Sequence, residues 1–145
     1  MKIEGHSHLP GTPEQVWILF TDPERLQKLL PGAESLVADG PNRYKVAVKF
    51  GIAAITGKYA GTVELSDQQH PASLRMKVES RGKPGFMKGE GKLELLLKPE
   101  GTEVRYAGEA QVGGLIASVG QRMIEAAAKK IIRQFFTSAA AELKK

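Results

Sequence analysis

At 145 residues the chain has the length of one domain, and a domain near that size buries about 70% of its unfolded surface, which is enough for a core. Its 41% hydrophobic and 26% charged residues are those of a globular chain rather than a disordered one, and the absence of cysteine excludes disulfides, thiolate metal sites and cysteine nucleophiles. The net charge of +5 is unevenly placed: beyond Gly113, the cations Arg122, Lys129, Lys130, Arg133, Lys144 and Lys145 face only Glu125 and Glu142.

No aromatic residues alternate with those cations, which argues against nucleic acid as a partner. A solvated helix face is the plain explanation of the excess; an acidic protein surface or anionic lipid headgroups are the sharper one. Glu4, His6 and His8 stand where a signal peptide needs an apolar run, and no stretch approaches the ~18 apolar residues of a membrane span. The expectation is a cytoplasmic protein.

Residues Lys2 to Leu9 alternate, Ile3, Gly5, Ser7 and Leu9 on one side and Lys2, Glu4, His6 and His8 on the other, as a half-buried strand does. Pro10-Gly11 ends it. Thr12 before Pro13, with Glu14 and Gln15 in the first turn, predicts a helix whose buried face is Val16, Trp17, Leu19 and Phe20. Asp22-Pro23 restarts the chain as a second short helix with Leu26, Leu29 and Leu30 inward.

From Pro31-Gly32 onward the pattern is that of strands, roughly 33–39, 43–50, 53–66, 72–82, 86–98 and 102–112, separated by turn sequences such as Asp39-Gly40-Pro41-Asn42 and Pro99-Glu100-Gly101. Alternation puts Tyr44, Val46, Val48, Phe50, Ile55, Tyr59, Val63, Leu65, Leu74, Met76, Val78, Met87, Leu93, Leu95, Leu97, Val104, Tyr106, Ala110 and Val112 on an apolar face, with charged residues opposite. Gly57, Gly61, Gly89, Gly91 and Gly108 fall on or beside the inner register, where they permit curvature and leave space.

After Gly113-Gly114, steps of three and four through Ile116, Val119, Met123, Ala127, Ile131, Phe135 and Ala139 predict one amphipathic helix reaching Leu143, a rod of roughly 40 Å. Strand, two short helices, six strands and a long helix make an α+β fold: seven largely antiparallel strands must curl, and only the long helix can cover their concave face.

Four segments carry a resemblance: GHSHLPGTPEQVW, TDPERLQKLLPGAESL, KFGIAAITGKYAGTVEL and QVGGLIASVGQRMIEAAAKKIIRQFF. Together they cover nearly the whole chain and resemble the carbon monoxide dehydrogenase G-subunit (CoxG) family, within the helix-grip fold of the START and Bet v 1-like superfamily. The resemblance implies a non-catalytic accessory protein of molybdenum-containing carbon monoxide dehydrogenases and related hydroxylases. It also implies links to enzyme recruitment at the cytoplasmic membrane and, in some members, to carriage of a lipophilic quinone. Longer members carry a hydrophobic anchor after the long helix; this sequence ends at Lys145, so a shuttle or docking protein is expected over a permanent anchor.

The central expectation is a cavity. By alternation and by analogy with the fold, its lining is Trp17, Phe20, Leu30, Phe50, Ile55, Tyr59, Met76, Met87, Leu95, Tyr106, Val112, Ile116, Val119, Met123 and Ile131. So apolar a lining favours a lipid, isoprenoid or quinone over a polar metabolite, at ~25 cal/mol per Å² of apolar surface buried, and no resident cofactor is expected. The alternatives are an assembly module whose interior is filled and a small helix-grip cyclase or hydrolase. The latter needs inward acid and base groups, and only the phenols of Tyr44, Tyr59 and Tyr106 point inward. His6 and His8 have the spacing of two metal ligands but no third, and read as solvent-facing; His70, before Pro71, reads as an exposed turn residue.

Overall fold

The computed structural model describes residues 1–52 and 55–145. In chain order the elements are β1 (Lys2–Leu9), α1 (Pro13–Thr21), α2 (Pro23–Leu29), β2 (Ala33–Ala38), β3 (Arg43–Phe50), β4 (Gly57–Gln69), β5 (Ser73–Gly82), β6 (Gly85–Lys98), β7 (Gly101–Gly113), a 3₁₀ turn (Leu115–Val119) and α3 (Gln121–Leu143). The seven strands form one antiparallel sheet in the order β1-β7-β6-β5-β4-β3-β2. Hairpins join β2 through β7 in sequence, while α1 and α2 carry the chain from β1, at one edge beside β7, across to β2 at the other edge. This is the α+β helix-grip arrangement.

Local chemistry sets the helix starts. Thr12 caps α1 by accepting from the Gln15 N–H, and the Gln15 side chain accepts from the Thr12 N–H, so two orphan donors are satisfied reciprocally. Asp22 accepts from the Arg25 N–H at the start of α2, and proline occupies the first position of both helices. The α1 side chains Val16, Trp17, Leu19 and Phe20 are all buried, as are Leu26 and Leu29 of α2.

The strands present one apolar and one polar face. On the polar face Arg43 meets Glu64 at 3.9 Å and Arg75 meets Glu90 at 3.3 Å across neighbouring strands. Such exposed pairs contribute little each, so the sheet is held by its buried face and ladders. Leu97 breaks the alternation rule: it is 74% exposed, because it sits at the end of β6 beside the Pro99-Glu100-Gly101 turn, past the cover of the core. The predicted strand at 53–66 begins later, at Gly57, with Ile55 buried in a short turn before it; positions 53 and 54 lie outside the described residues.

Curvature depends on backbone approach at particular glycines. A Cβ on Gly61 would collide with the Glu79 carbonyl of β5, and one on Gly108 with the Glu90 carbonyl of β6. Gly61→Ala is therefore expected to destabilise the protein by about 1–3 kcal/mol, since strand backbone must move to admit a single methyl. A shift in the urea midpoint reads this directly.

The long helix is shorter than its periodicity predicts. Gly120, at φ 98°, breaks the chain between the 3₁₀ turn and α3, so the helix begins at Gln121 rather than Leu115 and its 23 residues span about 35 Å. The apolar residues before the break are therefore out of phase with those after it. Ile124, Ala127, Phe136 and Ala139 are buried, while Val119 and Met123 are 42% and 47% exposed.

Candidate functional site

The concave interior divides into two halves. In one, α1 packs on the ends of β6 and β7 and against α3. Trp17, Phe20, Leu9, Leu95 and Val104 fill this half, with Thr102 donating its hydroxyl proton to the Gly11 carbonyl at 2.7 Å. In the other, beneath α3 from Ile124 to Phe136, the residues line a partly open cavity of about 320 Å³.

Its floor is Val46, Val48, Phe50, Val63, Met76 and Val78 from β3, β4 and β5 and Ile55 just before β4, with Met87, Gly89, Gly91, Leu93, Tyr106 and Val112 from β6 and β7. Its roof is Ile124, Ala127, Ala128, Ile131, Ile132, Phe135 and Phe136, and Leu30 and Pro31 close one side. The glycines leave the space: a Cβ placed on Gly89 would meet nothing within 4 Å. Aromatic residues make the walls rigid, Phe136 stacking on Tyr106 at 5.2 Å and lying edge-on to Phe135 at the same distance. Gly5, paired with Tyr106 across β1 and β7, leaves room for the phenol: a Cβ there would sit 2.5 Å from the Tyr106 hydroxyl.

Of the residues proposed from sequence, Leu30, Phe50, Ile55, Met76, Met87, Tyr106, Val112 and Ile131 meet around this space. The other seven lie elsewhere, each for a local reason. Trp17 packs edge-on to His70 at 5.1 Å, Phe20 lies against Phe135 at 5.6 Å, and Leu95 is buried in the filled half. Tyr59 turns away from the space to donate to the Ile55 carbonyl at 2.9 Å while packing edge-on to Phe50. Ile116 is anchored at the β5–β6 hairpin, its N–H donating to the Pro84 carbonyl at 2.8 Å. Val119 stands on the surface because the Gly120 break puts it out of phase with the inner stripe, and Met123 is exposed in the first turn of α3. The wall residues not singled out from sequence, among them Val46, Val63, Ile124, Ile132 and Phe135, share the same period-two and three-four signals.

The titratable groups are arranged for structure. Burial pushes the Tyr59 phenol above its ordinary range. Tyr59→Phe, which orphans the Ile55 carbonyl, is expected to cost about 1–2 kcal/mol in denaturant unfolding. Because the folded phenol titrates above its unfolded value of about 10, this contribution is complete below that pH and lost as pH rises through the folded value. Glu103 is held below the usual carboxylate range by a hydrogen bond from Arg105, and Glu142 by one from Lys145; both lie on the surface. His6 and His8 are exposed, and His70 is exposed and paired with Glu14 at 2.6 Å. Among the described residues no group of three or more His, Asp or Glu side chains is placed to hold a metal ion, and no helix is long and apolar enough to cross a membrane.

Comparison with known proteins places this architecture. A crystal structure of a conserved protein from Geobacillus kaustophilus superposes with a TM-score of 0.95 at 36% identity, covering 99% of this chain and 95% of that one. Structures of proteins from Chromobacterium violaceum (TM-score 0.74, 19% identity, covering 99% and 98%) and Rhizobium leguminosarum (0.77, 12%, covering 99% and 94%) share the fold. No curated protein matches the sequence. The family model for the carbon monoxide dehydrogenase G-subunit (CoxG) matches residues 5–144, nearly the full length that builds the sheet, the cavity and its helical roof; the chain belongs to the CoxG family.

Proposed function

We propose that this protein is a non-catalytic accessory partner of a carbon monoxide dehydrogenase or related molybdenum hydroxylase, holding a lipid or quinone-like molecule in the cavity beneath α3. The observation that carries the reading is the apolar cavity of about 320 Å³, a size in the range of small-molecule sites, in a chain of the CoxG family. Apolar walls give a guest hydrophobic free energy but few directional contacts, which suits carriage better than chemistry: Tyr106 supplies the phenol at the wall, and Glu90 and Glu109, though they belong to the lining, are exposed, Glu90 pairing with Arg75 at 3.3 Å on the polar face.

Delivery and docking need a surface as well as an interior. Leu115, Val119 and Met123 are exposed close together in sequence around the Gly120 break, with Arg122 beside them. Such a combination suits transient contact with the partner enzyme or with an anionic membrane surface.

Transfer is the test. Neutral vesicles loaded with a long-chain quinone are mixed with the protein and then pelleted. The expected result is quinone in the supernatant in proportion to protein, up to one per chain. Supernatant quinone no higher than with an unrelated protein of equal concentration overturns the carrier reading.

A further inference from the structure

Leu30 and Pro31 have two sides. They close one flank of the apolar cavity, and they also border a groove of about 540 Å³ of mixed polar and apolar lining on the outside, between the end of α2 and the second half of α3. The rest of that groove's wall includes Gln27 and Lys28 from α2, and Arg133, Gln134, Thr137 and Ser138 from α3, all with hydrogen-bonding side chains. Helical periodicity explains the juxtaposition: Ile131, Ile132 and Phe135 of α3 face the cavity, and the residues between and just after them turn onto the groove. With ~1.5 Å of rise per residue, the two linings lie within about 10 Å of each other along α3, a separation one small amphiphile spans.

The groove is also electropositive. Lys28 lies 3.6 Å from Glu142, but that carboxylate is closer to Lys145, at 2.7 Å. Arg133 has no carboxylate partner among the described residues, so its guanidinium keeps its donors for a ligand.

We propose that cavity and groove form one site for an amphiphile with an acidic head. The carboxylate or phosphate lies in the groove against Arg133, with Lys28, Thr137 and Ser138 beside it, and the hydrocarbon passes Leu30 and Pro31 into the cavity. This rests on the carrier reading and narrows its ligand: a neutral quinone or ester gains the apolar contacts but not the charge-assisted ones.

The test is displacement of the neutral apolar probe N-phenyl-1-naphthylamine, at neutral pH, by dodecanoate, dodecyl phosphate and methyl dodecanoate. Dodecanoate or dodecyl phosphate is expected to compete about tenfold better than the ester, and which of the two does so identifies the head. Arg133→Glu and the milder Arg133→Gln should remove that advantage while leaving the ester's affinity unchanged, which also shows that the variants fold. Lys45→Glu, a charge reversal of the same size on the outer face of β3, should leave the preference intact. Equal competition by acid and ester, or equal effects of Arg133→Glu and Lys45→Glu, overturns the acidic-head site and leaves the cavity standing. A probe that does not bind at all overturns both.

Discussion

Gly89→Phe is expected to weaken uptake of an apolar guest by at least tenfold while leaving the fold intact. Gly89 lies in β6 between Val78 of β5 and Ala110 of β7, lines the cavity, and has open space where a side chain would stand. A benzyl group there occupies volume the guest needs. Excluding about 60 Å² of guest surface costs roughly 1.5 kcal/mol at ~25 cal/mol per Å², and 1.4 kcal/mol is about tenfold in affinity. The strand itself loses nothing, because glycine inside a strand is disfavoured by roughly 0.5–1 kcal/mol relative to alanine. Guest titration should show at least a tenfold loss with an unchanged or raised Tm. Undiminished uptake would mean that the guest does not use this space.

Phe20→Ala is expected to show the opposite split. Phe20 is fully buried, lies in the filled half beneath α1, and packs against Phe135 of α3 at 5.6 Å. Truncating it leaves a void that α1, pinned by its capping box, cannot close, and the expected loss is about 3–5 kcal/mol. Against a total stability of about 5–15 kcal/mol this is a large fraction, so the variant should unfold at markedly lower urea. A loss below about 1 kcal/mol would mean that the division into a filled and an empty half is wrong.

These two substitutions mark where sequence reasoning succeeds and where it stops. Alternation identifies the buried face of the strands, since side-chain direction has period two and a one-residue slip would put Lys45 or Lys58 inside. The starts of α1 and α2 are legible because Thr12-Pro13 and Asp22-Pro23 act through their immediate neighbours. Depth within the core is not legible. Phe20 and Phe50 both point inward, yet one fills the closed half and the other lines the space, a difference set by where α1 lands on the sheet.

The glycines show the same limit. Gly61 and Gly89 both fall on the inner register, but Gly61 lies against the Glu79 carbonyl and Gly89 faces open space, which only the bending of neighbouring strands decides. At the long helix, the three-four pattern runs unbroken through Gly120 in sequence while the backbone does not. Val119 is displaced to the surface by a single positive φ, and Met123 is exposed in the first turn of α3. The groove around Arg133 is hidden in the sequence for a further reason. Its residues come from the polar faces of two helices, and their proximity emerges only once α2 and α3 are packed together.

The central claim is that the space beneath α3 holds one apolar molecule. Native mass spectrometry of the protein purified without detergent, before and after addition of a long-chain quinone or fatty acid, tests it most directly. The expected result is a species heavier than the bare chain by one such molecule, stripped by organic solvent, restored on addition and depleted in Gly89→Phe. A bare mass that no added lipid or quinone increases would contradict it.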